Sequence, residues 1–369
     1  MRQNILGGIL AFALLSYGSI ASAFTLIPQE QLSPSSSITE STTLETQTQP
    51  IASTIRAQIF SHLRPSGAKK GSQLGSTFLA ASARPGASDV NYLAAVAGDS
   101  SAPGGGSAIG NSESVWISGT TTSLENTFSR TAFNGATNNI LAGFDLTRSN
   151  RYVFGVSLGH EASNFTTTFN TGDEKTRGFN VNPYFAWLIS DTWSVDLILG
   201  YGDFKTRQFR VLPTGPLASQ VISSEFDSTR GFASTNLTNV QTFGNWKITG
   251  SLGFLGSRRE NDAYTESIGT TVAKSKRTSE QWSFLGEAAY GRGNSETFFG
   301  AMYENIRDPE RIQFAVGPQP SDDNDSVVLT AGWRYFGTRS ISANFVFSGR
   351  VGQDDVREYG FSMMLRVDL

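Results

Sequence analysis

From about residue 114 to the C-terminus, apolar side chains recur at every second position, with small or polar residues between them. Tyr152, Phe154, Val156 and Leu158 alternate with Val153, Gly155, Ser157 and Gly159. Trp193, Val195, Leu197, Leu199 and Tyr201 alternate with Ser194, Asp196, Ile198 and Gly200, and the chain closes on Tyr359, Phe361, Met363, Leu365, Val367 and Leu369. A period of two is that of a β-strand, whose successive side chains point to opposite faces. Repeated in segment after segment, it predicts a sheet with one apolar and one polar surface. Twelve strands are expected, over 114–124, 136–148, 150–163, 175–188, 192–209, 222–237, 242–258, 278–291, 295–307, 325–337, 339–351 and 355–368. The sixth has the weakest alternation.

The connections separate by length. After even-numbered strands they are short: Ser149, Ser190-Asp191, 238–241, 291–294 and Thr338. After odd-numbered strands they are long, over 125–135, 164–174, 210–221, 259–277 and 308–324, with 352–354 the exception. Short turns at one end and long loops at the other are the pattern of an outer-membrane barrel, with its turns in the periplasm. Composition agrees. Charged residues are 17% and aromatics 11%, and mean hydropathy is −0.21, too polar for a bundle of membrane helices.

The N-terminus supplies an address. Arg2 precedes an apolar run from Ile5 to Leu15, and Ala21-Ser22-Ala23 has the small-residue spacing of a cleavage site, so residues 1–23 read as a signal peptide for export to the periplasm. No later apolar stretch approaches the ~20 residues a spanning helix needs. A closed β-barrel is the other structure that satisfies its backbone in lipid. The fold expected is therefore an all-β, twelve-stranded antiparallel outer-membrane barrel over 114–369.

Ahead of it, 24–49 reads as a disordered leader and 65–113, rich in Gly, Ser and Ala, as a linker. Between them, Ile51, Ile55, Ile59 and Leu63 recur every four residues behind Pro50, which predicts a helix over 50–64. Twelve strands leave room for roughly one helix of ~10–12 Å diameter. Ile51, Ile55, Arg56, Ile59 and Leu63 are the residues of a helix either standing in the pore or lying on the periplasmic side. With aromatics toward lipid, the opposite parity lines the lumen. It carries Asp145, Glu161, Asp196 and Glu287 with Lys247, Arg334, Arg350 and Arg366, four acids against four bases, and many glycines.

Several functions are disfavoured. Twenty-nine Lys and Arg against 32 Asp and Glu leave no basic excess for nucleic acid. The absence of Cys removes disulfides, zinc ribbons and thiol nucleophiles, and His62 and His160 are the only histidines. No cofactor, metal or catalytic residue is expected. His160 is followed by Glu161-Ala162-Ser163, which lacks the His-x-Ser of the outer-membrane phospholipase, another twelve-stranded barrel.

Val115-Trp116-Ile117-Ser118-Gly119, Ala142-Gly143-Phe144-Asp145, Phe154-Gly155-Val156-Ser157-Leu158-Gly159, Asn182-Pro183-Tyr184-Phe185-Ala186 and Leu199-Gly200-Tyr201-Gly202 follow in this order. In order and spacing they resemble the translocator domain of the autotransporters, the type V secretion proteins of Gram-negative bacteria. The resemblance implies a helix threading the pore and an N-terminal passenger, with outer-membrane lipid, lipopolysaccharide, periplasmic chaperones and the barrel-assembly machinery as partners of a monomer. Two departures stand out: 24–49 is far shorter than the usual passenger, and the last residue is Leu369 where the family has Phe or Trp. The Asn pair at which some members cut themselves is absent from 51–63. A passive porin-like channel, or a structural or adhesive outer-membrane protein, is the alternative.

Overall fold

A computed structural model describes residues 26–27, 34–63, 111–149, 151–211, 219–307, 313–314, 317–321, 323–336 and 341–369. The signal peptide expected over 1–23 and residues 65–110 of the expected linker lie outside the described residues. Twelve long strands form one closed antiparallel barrel. They are β1 (Asn111–Asn126), β2 (Phe133–Arg148), β3 (Tyr152–Thr167), β4 (Gly172–Leu188), β5 (Trp193–Val211), β6 (Val221–Phe243), β7 (Trp246–Asn261), β8 (Ser275–Arg292), β9 (Ser295–Arg307), β10 (Asp325–Phe336), β11 (Ile341–Val351) and β12 (Val356–Asp368). Closure comes from β12 pairing with β1, Val367 opposite Val115 and Arg366 opposite Trp116. Among the described residues, no helix is long and apolar enough to cross a membrane.

The alternation read from sequence is the alternation of faces. On β3, Tyr152, Phe154, Val156 and Leu158 point outward, while Val153 and Ser157 are buried inside. Phe179, Phe299 and Leu158 are each more than 60% exposed, which is affordable only where lipid replaces water. Pro183, which has no N–H to donate, sits where the β4–β5 ladder skips two pairs, between Val181↔Tyr201 and Tyr184↔Ile198. The tightest connections are Gly244-Asn245 and Gly293-Asn294, each with only its glycine at positive φ, as a two-residue type II′ hairpin turn requires.

Three expectations are corrected. The turn expected at 238–241 is strand: β6 runs to Phe243 and is the longest strand, although its alternation was the weakest. Between 228 and 238 its inward residues are Ser228, Arg230, Phe232, Ser234, Asn236 and Thr238, all but Phe232 polar, so a polar lumen rather than an apolar core sets its pattern. Several connections after odd-numbered strands are shorter than expected, that between β3 and β4 shrinking to 168–171, because the strands continue beyond the apolar band. The third correction concerns the helix. α1 runs Ser35–Leu63, beginning fifteen positions before Pro50, so residues 35–49 of the expected disordered leader are helical and Pro50 is internal. Ser and Thr are mediocre helix formers, and an internal Pro costs about 3 kcal/mol. What overrides both is the barrel wall, which hydrogen-bonds Ser35, Thr39, Glu40, Glu45, Thr46, Gln47 and Gln49 of this half.

Candidate functional site

α1 stands inside the barrel. Its N-terminal end lies at the long-loop mouth, where the Ser36 amide donates to Gln208 Oε1 at 2.9 Å and Asn170 Nδ2 donates to Ser35 Oγ at 2.9 Å. Its C-terminal half lies toward the turns and the barrel's own chain ends, where Gln58 Nε2 donates to Asp145 Oδ2 at 2.5 Å. Pro50 divides two differently built halves.

The inner half is dry on one side. Spacing by four puts Ile51, Ile55 and Ile59 on one stripe, and all three are 0–1% exposed. They share a cluster with Ala52, Trp116, Leu141, Val153, Tyr184, Ala186, Leu188, Ile198, Phe232 and Leu255. Burying an isoleucine contributes about 1.5–3 kcal/mol, so this stripe is the apolar anchor of the helix. Polar groups frame it. Asp145 also accepts from Tyr184 and from Ser114 at 3.0 Å, and Trp116 Nε1 donates to the Tyr184 hydroxyl at 3.0 Å. Arg56 donates to Ser234 at 3.2 Å within electrostatic reach of Asp196, which accepts from Asn236 at 2.8 Å.

The outer half is held by charge. Arg230, Arg259 and Arg277 are direct cross-strand partners on β6, β7 and β8, three guanidinium groups in a row. Glu161 pairs with Arg230. Glu40 of α1, 2% exposed, reaches Asn261 at 2.8–2.9 Å, Arg259 at 3.5 Å and Arg277 at 3.8 Å. Thr39 donates to Glu174, Ser279 donates to Glu45 at 2.5 Å, and Arg230 donates to Gln47 at 2.6 Å. Like charges directly opposite on a sheet repel, so Glu40 acts as counter-ion to this wall.

All eight wall candidates carry the inward parity of their strands. Asp145 and Asp196 face the inner half of α1, and Glu161 reaches the helix through Arg230. Arg350 donates to Gln49 at 3.2 Å. Lys247, Glu287 and Arg334 form one network with Glu296 at 2.7–2.9 Å, with Arg334 stacked 3.6 Å above the Phe298 ring. Arg366 pairs with Asp368 at 2.5 Å. Of the pore-helix candidates, Ile51, Ile55, Arg56 and Ile59 are placed as described, and the Leu63 side chain lies outside the described residues. Glu40, Glu174, Arg230, Arg259, Glu296, Glu304 and Glu358 escaped the sequence reading. Apart from Glu40, each shares the inward parity of its strand, so extending that parity to the strand ends would have found them. Two of the inward glycines make room for side chains of neighbouring strands. At Gly143 an added Cβ would lie 2.4 Å from the Trp116 ring, and at Gly155 2.2 Å from the Tyr184 ring. They seat aromatic rings of neighbouring strands rather than the helix backbone.

A family model described as the autotransporter beta-domain matches residues 115–301, half of the chain, from β1 into β9. The chain belongs to the autotransporter β-domain family. It is an outer-membrane barrel of the translocator type, and the family's barrels are transport domains. The fold is similar to that of the translocator domain of autotransporter NalP from Neisseria meningitidis, at 12% identity and a TM-score of 0.59, covering 69% of this chain and 88% of that one. It is also similar to the β-domain of the Bordetella autotransporter BrkA, at 14% identity and 0.57, covering 69% and 98%. No curated relative matches the sequence.

Proposed function

We propose that this barrel carries its own N-terminal segment to the cell surface and then keeps α1 as a plug. The observation that supports the reading is the polarity of α1. Its C-terminal end leads toward the start of β1 at the turn side, so whatever precedes Ser35 emerges at the long-loop mouth. Consistent with this, Leu26–Ile27 pairs in parallel with Gln313–Phe314 of the β9–β10 loop. A helix standing along the lumen and bonded to its wall disfavours a wide passive channel.

In this reading residues 1–23 direct export and 65–113 form the return linker. The assembled protein is a monomer in contact with lipid and lipopolysaccharide. Periplasmic chaperones and the barrel-assembly machinery deliver it, reading the alternation that ends at Leu369. α1 contains no asparagine, so no self-cleavage at an Asn pair occurs there. The test is an epitope inserted at residue 30, probed with antibody. Labelling of intact cells is expected. Labelling only after the outer membrane has been opened would place the segment in the periplasm and sink the proposal.

A further inference from the structure

The lumen is not symmetric about the helix. Across the barrel from Tyr184 on β4 and Phe232 on β6, successive cross-strand partners on β9 to β12 and β1 are Gly300, Thr330, Ser348, Gly360 and Thr122, a row of small side chains on the inward parity. α1 turns toward this wall a stripe that is equally slight, Pro50, Ser53 and Ala57. The result is a cavity of about 260 Å³ beside the inner half of the helix. That is room for several waters. Its lining reaches Thr192, Val240, Phe336 and Ser342, which sit at the periplasmic turns, and the opposed charges of Lys247, Glu287, Glu296 and Arg334 line it near that end.

Toward the outside it ends at Gln49 and Glu358. Just beyond, a crossbar joins wall to helix. Arg350 donates to Glu304 at 2.5 Å, to Ser326 at 2.7 Å, to Glu358 at 3.1 Å and to Gln49 at 3.2 Å. Gln49 donates to Glu304, and Thr46 to Glu358 at 3.3 Å. Glu304 and Arg350 are nearly fully buried.

We propose that the plugged barrel contains a side path for small inorganic ions, a vestibule filled from the periplasm and gated at its outer end by the Glu304–Arg350–Glu358–Gln49 crossbar. The inference rests on the reading that α1 remains in the pore. The helix occupies only one side of the lumen at this height, and the crossbar closes the other. Arg350 is the centre of that closure because one guanidinium spans three wall groups and the helix. Gln49 is the helix residue that hydrogen-bonds Arg350 and Glu304, while Glu45 stands within electrostatic reach of Arg350 and Thr46 holds Glu358, so losing Arg350 or Gln49 opens the crossbar at its centre and connects the vestibule past Pro50.

The experiment is single-channel recording in planar bilayers in KCl, using full-length wild type, Arg350→Ala, Gln49→Ala and a deletion of 24–65. Gln49→Ala leaves the wall untouched, so it serves if Arg350→Ala fails to fold. The expected result is a conductance severalfold above wild type in both variants, yet well below that of the deletion. The protein has no native Cys, so access is read by adding Ser53→Cys or Ile55→Cys to each variant. A charged methanethiosulfonate should reduce the new conductance at Ser53→Cys, which faces the vestibule, and leave it unchanged at Ile55→Cys, which faces the dry wall. Wild-type conductance in both gate variants would overturn the proposal. So would a conductance equal to the deletion's with both cysteines reacting, since the crossbar would then anchor the helix rather than gate a path. Failure of the plug itself looks different: wild type and deletion would conduct alike.

Discussion

Replacing Glu40 with Ala should loosen the plug more than any other single change in the outer half of α1. Glu40 is the carboxylate that α1 contributes to Arg259 and Arg277, and all three side chains are at least 85% buried. Removing one partner of a buried ion pair costs about 3–5 kcal/mol, because the remaining charge stays desolvated. Glu174 remains within electrostatic reach of Arg259, and Arg259 keeps Thr206 and Asn261 as acceptors, which places the cost near the lower end, about 3 kcal/mol. That cost falls on the plugged state alone, since with α1 gone the lumen fills with water and the arginines are solvated. At 1.4 kcal/mol per decade, the ratio of plugged to open barrels should fall roughly a hundredfold. Glu40→Gln, which retains a partner for Asn261, should fall less. The assay is the fraction of time that full-length protein in a planar bilayer spends at the conductance of the 24–65 deletion. If Glu40→Ala opens no more often than Ser53→Ala, a change on the cavity side, the claim that charge holds the outer half is wrong.

The dry half makes its own predictions. Ile55→Ala removes a fully buried side chain, and its cost of about 2–5 kcal/mol should appear as more frequent opening and faster hydrogen exchange in 51–59, with the barrel's heat resistance on gels unchanged. Gly155→Val should have the opposite signature, because its β-carbon would strike the Tyr184 ring. That strain falls on the wall itself, so less barrel should assemble and what does should unfold at lower temperature. At the long-loop mouth, Tyr264 lies between β7 and β8, stacked on the inward-facing Phe226 with ring centroids 4.6 Å apart and accepting from Gln208 at 3.0 Å, and burial pushes its hydroxyl up to about 12. A raised folded-state value favours the protonated form. Its stabilisation is thus complete below pH ~10 and lost as pH rises through 12. The absorbance difference between wild type and Tyr264→Phe should show one tyrosine titrating late, and a transition near 10 would show the hydroxyl to be open to water.

Faces were legible in the sequence, and partners were not. Alternation in Tyr152–Leu158 or Trp193–Tyr201 separates lipid from lumen because a strand has only two sides, and that was enough to count the strands and put all eight charged candidates inward. It could not say that Glu161 meets Arg230 or that Gln58 meets Asp145, because those partners are brought together by closure of the barrel and insertion of the helix. The outer half of α1 was missed for a related reason. Ser35 to Gln49 has the composition of a solvated leader, and in water it would be one. Inside a polar lumen the usual sense of composition reverses, and Thr39, Glu40 and Gln47 are interior residues. The same reversal hid the length of β6, whose inward Ser, Arg and Asn residues are its true core pattern.

The strands are far from equal in length. β6 has 23 residues and β5 has 19, whereas β11 has 11 and β10 has 12. The described short turns, after β2, β4, β6 and β8, share one end of the barrel, so the surplus of β5 and β6 stands at the other. The twelve-residue difference between β6 and β11 is about 40 Å of strand, or roughly 30 Å of height once tilt is allowed for. The mouth is therefore cut obliquely, with a tall parapet on the β5–β7 side and a low sill on the β10–β11 side. The segment ahead of α1 leans on the sill, where Leu26–Ile27 meets Gln313–Phe314. Anything displayed there would face the surroundings in one direction and be screened by the parapet in the other, so an antibody or protease should reach it from one side of the barrel only.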